Sequence, residues 1–297
     1  KAARHGRPFL LMDGLSAGMD RSASFVACVD LVRRHDPDRY FSVLFAPKEA
    51  RLYLMALYAF NYEIARVGEN VREPMMGEIR LQWWRETIEG GRAGNPRAHD
   101  VTQGLAEILS RFDLPQSLFD EMIDARSFDV SPDVFETVGA LEDYGAATVG
   151  SLIQLAARIL GASERSDQQA REAGIAYALC GVLRAIPHHA ARRKLYLPMD
   201  LLNTVQLSPD DIFAGQGGEK LKAVMAQLSL RAQNHLGSAR AFGRPKRALP
   251  AFLPVALAPG YLKLMTRPGF DPFRDPAQVA QPRKQWALLA AATRGKF

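Results

Sequence analysis

The chain has 297 residues, 47% hydrophobic and 24% charged, with a formal net charge of +6 and a pI of about 9.4. This composition is that of a globular protein and excludes disorder, and the length suits one large helical domain. The mild basic excess fits anionic lipid or phosphorylated ligands; no nucleic-acid motif and no basic run with interleaved aromatics is present, so nucleic acid is set aside as a partner.

In chain order, the residues from Lys1 precede a more typical stretch that opens at Met19. Residues 1–18 are therefore read as a foreign or disordered extension, and 19–297 as one domain. Helical periodicity dominates and no set of alternating strands appears. A first helix is expected over 21–35. Pro47 sits at a helix start, and the pattern from Glu49 to about Asn70 has no breaker. Within it, Leu52 to Phe60 is apolar on almost every face, which marks a buried helix. The next helix, 75–89, carries Trp83 and Trp84 and is expected to stop at Gly90-Gly91, with a loop to His99. Neighbouring helical positions face differently, so one tryptophan is assigned to the core and the other to an interface. Further helices are expected at 101–111, 115–127, 139–160, 165–186, 219–242 and 248–266. Pro187 ends or kinks the 165–186 helix, whose stretch Gly174 to Leu183 is again apolar on most faces. After a loop at 267–276, a short helix near 284–293 closes the chain. No internal repeat or linker divides it, so the chain reads as one all-α domain with two buried central helices.

Cys28 and Cys180 lie far apart in apolar surroundings. They read as buried thiols in a reducing compartment, not as a disulfide or a zinc site. No run approaches the ~18 apolar residues that span a bilayer. The expected location is the cytoplasm, with peripheral contact at the inner membrane.

The most informative segment is 181–198, which runs Leu183-Arg184-Ala185-Ile186-Pro187-His188-His189 and continues through Arg192-Arg193-Lys194 to Tyr196-Leu197-Pro198. Together with Tyr40-Phe41-Ser42, Phe45-Ala46-Pro47, Ala50-Arg51, Ala56-Leu57-Tyr58-Ala59-Phe60 and Leu141 to Gly150 with its Tyr144, it resembles the squalene/phytoene synthase family from about Arg39 to the C-terminal helices. That resemblance implies an all-α isoprenoid (terpenoid) synthase bundle with a central cavity. It also implies two Asp-x-x-x-Asp motifs, whose i, i+4 carboxylates would hold magnesium ions against a substrate diphosphate. Those aspartates fall on Ala65 and Glu69, and on Ala185 and His189. Only Glu69 is a carboxylate, and Arg184, Arg192, Arg193 and Lys194 crowd the second site, a pattern that repels a cation and attracts an anion.

Rarer strings point to one divergent branch. Asn61-Tyr62-Glu63-Ile64-Ala65, Arg80-Leu81-Gln82-Trp83-Trp84-Arg85, the 183–200 run and Pro250-Ala251-Phe252-Leu253-Pro254 are similar to the mitochondrial assembly factors for respiratory complex I and their bacterial relatives. The resemblance implies a non-catalytic protein without cofactor that binds a complex I subunit or assembly intermediate, an isoprenoid or anionic lipid, or both. Its anion-contacting candidates are Arg184, Arg192, Arg193 and Lys194, and its pocket candidates Tyr40, Phe60, Tyr144 and Tyr177. Two alternatives stay open: a magnesium-dependent prenyltransferase with Glu69 holding a single metal, and a lipid carrier.

Simpler readings accompany these. Adjacent His188 and His189 diverge by about 100° on a helix and chelate one ion poorly. Arg192 to Lys194 also suit a charged turn, because cations favour helix C-termini. Arg184, within an apolar helix, needs a partner such as Glu63, Glu69 or a bound anion.

Overall fold

A computed structural model describes residues 23–71 and 73–297. The expectation for residues 1–18 lies outside them. Among the described residues every regular element is helical. Helix α1 (Ala23–His35) is followed by α2 (Pro37–Val43), which the sequence pattern did not reveal. Asp36 caps α2 by accepting the Arg39 amide at 3.1 Å, and Pro37 fits the first turn, where no amide is required.

Helix α3 (Lys48–Ala65) is buried without interruption from Leu52 to Asn61, as its apolar faces require. It does not reach Asn70: Arg66 ends it, and α4 (Val67–Asn70) sets off separately. The cause is a tertiary contact. A Cβ on Gly68 would lie 2.6 Å from the Asp129 carbonyl oxygen, so the backbones touch there. Helix α5 (Pro74–Arg92) runs through Gly90-Gly91 instead of stopping, because Gly91 is where it meets Ala106 and Leu109 of α6 (Asp100–Arg111). Of its tryptophans, Trp84 is buried, while Trp83 is half-buried beneath Arg80 and Arg97.

Next come α7 (Gln116–Val130), α8 (Val138–Gly145) and α9 (Ser151–Ile159), with a π-helical turn at Ala146–Gly150 between the last two. The expected single helix over 139–160 is therefore interrupted. Gly150 within the turn meets Gly174 of α10 (Asp167–Arg184) so closely that a Cβ on Gly174 would lie 2.3 Å from the Gly150 Cα. Ala185 closes α10, and α11 (Ile186–Ala191) begins with Pro187 in its first turn. The short helices α12 (Met199–Thr204) and α13 (Pro209–Phe213) precede α14 (Gly218–Ala241), which packs along α10.

The helix expected over 248–266 is broken into α15 (Leu249–Phe252), a 3-10 stretch at Leu253–Leu257 and α16 (Ala258–Met265). Pro250, Pro254 and Pro259 each remove an amide that a continuous helix would need. Here the expectation that no run approaches a membrane span is corrected. Lys246–Met265 is long enough and has a mean hydropathy of 1.4, but it is 72% buried and forms core.

Helix α17 (Gln281–Arg294) closes the fold through a buried clamp. Lys284 Nζ lies 2.6 Å from Asp38 Oδ1, and the Tyr261 hydroxyl donates to Asp38 Oδ2 at 2.9 Å. Two apolar clusters, one around α3 and one around α10, α14 and α16, share Phe41, Tyr177, Leu249 and Ala256 at their boundary. Cys28 and Cys180 are free and buried, and burial pushes both thiols up to about 12.

Candidate functional site

A cavity of about 810 Å³ lies where the ends of α3, α7 and α10 converge, closed by the π-turn on one side and by 192–196 on the other. Its walls carry two polar clusters. In the first, Asp129 of α7 accepts hydrogen bonds from the hydroxyls of Tyr144 (2.8 Å) and Tyr196 (2.7 Å) on one oxygen and from Arg126 (2.9 Å) on the other. Arg126 also donates to the Tyr144 oxygen at 2.7 Å, so the buried carboxylate and guanidinium are both paired. Burial raises Tyr144 and Tyr196 well above the usual phenol range, and both stay protonated donors.

In the second cluster Asp36 pairs with Arg39 at 2.5 Å. The Arg39 guanidinium lies over the rings of Tyr58 (5.6 Å) and Tyr177 (5.5 Å). Burial raises Tyr177 as well.

The metal-motif positions sit at the cavity mouth. Ala65 ends α3 and Glu69 lies on α4, whereas Ala185 is the junction between α10 and α11 and His189 lies on α11. Ala65 and Glu69 straddle the break at Arg66, where the Glu69 amide bonds to the Arg66 carbonyl instead of to Ala65. The His189 amide, by contrast, donates to the Ala185 carbonyl at 2.9 Å and keeps that pair in helical i, i+4 register. Glu69 Oε1 meets His188 Nε2 at 3.1 Å, and Arg192 donates to the carbonyls of Gly68 (3.2 Å) and Glu69 (2.9 Å). His189 stacks on Tyr196 with ring centroids 4.1 Å apart. Burial, then the charges of His188, Arg192 and Lys194, holds His189 down to about 3, so it is a neutral imidazole at pH 7.

This donor set does not fit magnesium. The ion takes hard, negative oxygens, and the four motif positions offer one half-exposed carboxylate already engaged by His188, two methyl groups and an imidazole stacked on a tyrosine. Among the described residues no group of three or more His, Cys, Asp or Glu is arranged to hold a metal.

The four candidate cations do not converge on one anion site. Arg184 turns away from the cavity, and its guanidinium stacks 3.7 Å from the centroid of the Tyr261 ring. Neither Glu63 nor Glu69 pairs with it; the π face of Tyr261, whose hydroxyl binds Asp38, supplies the compensating negative potential. Arg193 pairs with Asp210 at 2.9 Å in solvent. Lys194 donates to the carbonyls of Phe128 (2.7 Å), Ser131 (2.7 Å) and Asp133 (3.0 Å) and so caps the C-terminus of α7. Its ammonium has three donors, and all three are used.

Of the pocket candidates, Tyr144 and Tyr177 line the cavity. Tyr40 and Phe60 do not: both are core residues, and Phe60 packs edge-on to Trp84 (5.4 Å) and Phe119 (5.7 Å) on the far side of α3. The clusters built on Arg126, Asp129, Asp36 and Arg39 were not evident from the sequence. A signal for the first was present in Arg126-Ser-Phe-Asp129, an i, i+3 pair of opposite charges.

Known proteins resemble this chain in sequence and in fold. The model of the squalene/phytoene synthase family matches residues 32–287. A human protein described as NADH dehydrogenase (ubiquinone) complex I, assembly factor 6 is 32% identical over 254 residues, covering 84% of this chain and 76% of its own length. A phytoene synthase of Thermus thermophilus is 30% identical over 208 residues, 70% of each chain. Among solved structures, a dehydrosqualene synthase in complex with ligand superimposes with a TM-score of 0.80 at 17% identity, covering 91% of this chain and 96% of its own. The squalene synthase of Alicyclobacillus acidocaldarius gives 0.69 at 19% identity, covering 92% and 95%. At such identities these structures speak to the fold alone, the all-α bundle of the squalene synthases.

Proposed function

This chain belongs to the squalene/phytoene synthase family, and from that premise we propose that it is a non-catalytic member that supports assembly of respiratory complex I. The carrying observation is the cavity mouth. Where the family's carboxylates would gather metal, Glu69 is held by His188, and Arg192 is bonded to the backbone beside it. The identity to the complex I assembly factors of human, cattle and mouse, at 31–32% over 84–92% of this chain, supports the same reading.

The cavity binds an isoprenoid or quinone-like lipid in this proposal, and a complex I subunit or assembly intermediate is the protein partner. Its volume of about 810 Å³ falls in the range of small-molecule pockets, roughly 300–1,000 Å³. Each lysine or arginine on its wall is already bonded: Arg39 to Asp36, Arg126 to Asp129, Arg192 and Lys194 to carbonyls, and Arg193 to Asp210. That wall favours an uncharged lipid head over a diphosphate. The proposed location is the cytoplasm, with peripheral contact at the inner membrane.

The alternative, a prenyltransferase, draws support from the identity to phytoene synthase. The test is incubation with farnesyl or geranylgeranyl diphosphate and Mg²⁺, following diphosphate release, beside a deletion strain assayed for each respiratory complex. We expect no turnover, with complex I lost selectively. Turnover that Glu69→Ala abolishes would overturn the non-catalytic reading. Loss of every complex, or of none, would overturn the assembly role. Mass spectrometry of a lipid extract of the purified protein tests the lipid: an isoprenoid is expected, and an extract free of any would remove that part of the proposal.

A further inference from the structure

Charge is distributed very unevenly along this chain. Residues 220–297 hold fourteen lysines and arginines and only two acids, Asp271 and Asp275, a net charge of +12, so the first 219 residues sum to −6. Several of the fourteen are neutralised in place: Lys222 by Glu219, Arg231 by Glu142, Lys284 by Asp38, Arg267 by Asp275 and Arg274 by Asp271. Six others gather at one end of the molecule: Arg240, Arg244, Lys246 and Arg247 at and beyond the end of α14, and Arg294 and Lys296 at the end of α17. All six are exposed, and among the described residues none pairs with an Asp or Glu side chain within 4.0 Å.

The fold brings the two segments together. Arg240 Nε donates to the Phe297 carbonyl at 2.6 Å, Phe297 stacks on Phe252 with centroids 5.0 Å apart, and the Arg244 side chain lies against Gly295. The loop is also held in shape. Gln169, buried on α10, donates to the carbonyls of Ala239 (3.0 Å) and Gly243 (2.8 Å). Gly243 takes φ 92°, a left-handed conformation that suits glycine, and Pro245 fixes its own φ two residues on. Between Arg240 and Arg244 in the chain stands Phe242, 53% exposed.

We propose that this patch is a docking surface for an anionic phospholipid bilayer. Exposed cations without acidic partners, with an exposed aromatic beside them in the chain, suit an interface that is negative at its surface and apolar just beneath. A duplex nucleic acid would use the cations but give Phe242 no apolar medium to enter. The patch is distinct from the cavity mouth, whose basic residues are consumed by intramolecular bonds. The proposal gives a surface to the peripheral membrane contact proposed above; it does not rest on the complex I reading, which would survive its failure.

The test is co-sedimentation of the whole chain with vesicles of 70% phosphatidylcholine and 30% phosphatidylglycerol, against pure phosphatidylcholine. Binding is expected only to the anionic vesicles and should be lost as salt is raised. Each neutralised cation lowers partition about fivefold, so Arg244→Gln, Lys246→Gln, Arg247→Gln and Lys296→Gln combined should lower it several hundredfold, to order of magnitude. Their charged groups stand in solvent, so the melting temperature should not move, which separates lost binding from lost fold. Phe242→Ser should lower partition by about tenfold. Equal binding to both vesicle types, undiminished binding by the fourfold variant, or retention on a duplex oligonucleotide without binding to vesicles would each overturn the proposal.

Discussion

The His189 imidazole condenses the remodelling of the motif into one residue. An aspartate here would face the cavity as a metal ligand; the imidazole instead lies flat on Tyr196, whose hydroxyl is bound to Asp129. Burial opposes a charge on this ring, and His188, Arg192 and Lys194 would repel one, so its folded value drops from 6.5 to about 3. The sign follows from linkage. The unfolded chain takes up this proton first as pH falls, so stability is full above about 6.5 and declines toward pH 3, by at most about 1.4 kcal/mol per pH unit. Urea unfolding at pH 7.5 and at pH 5 should differ by about 1–2 kcal/mol from this residue. In His189→Gln that difference should be absent, and an unchanged pH dependence would refute the assignment.

At the scale of elements, glycine contacts decide where helices bend and touch. Gly174 and Gly150 let α10 cross the π-turn at backbone distance, and that turn carries Thr148 and Val149 into the cavity wall. In Gly174→Ala the new Cβ would meet the Gly150 backbone at 2.3 Å, with no flexible side chain to yield. A loss of about 3 kcal/mol is expected, read as a melting temperature lower by roughly 6–12 °C. Gly181→Ala, two turns further along the same helix, meets nothing within 4 Å and should be neutral or slightly stabilising. Equal effects at the two positions would show that helix propensity governs instead of the close approach. The break after Arg184 was legible in Pro187, but the π-turn and the break after Ala65 were not. At those two sites a single glycine, Gly150 or Gly68, is all the local signal, and the interruption comes with a backbone contact to a partner far along the chain, Gly174 or Asp129.

At the scale of the whole molecule, the chain is closed on itself by the Lys284, Asp38 and Tyr261 clamp, which joins α17 to α2 across 246 residues. Both ionised groups are nearly buried, so removing one strands the other. Lys284→Met should cost about 3 kcal/mol, and adding Asp38→Asn should recover most of it, because the uncompensated buried charge is then gone. A double variant as unstable as the single one would show that packing, not charge, dominates. The apolar runs of α3 and α10, the aromatic strings and the emptied aspartate positions determined the fold class and the family from sequence alone, because buried periodicity and rare local strings are properties of the chain itself. The Asp129 cluster, the turning of Arg184 toward Tyr261 and the spending of Arg192 and Lys194 on backbone carbonyls were decided only in the tertiary structure. A cation in a sequence carries no record of the acceptor it will meet; that acceptor is set by which helix ends the packing brings beside it.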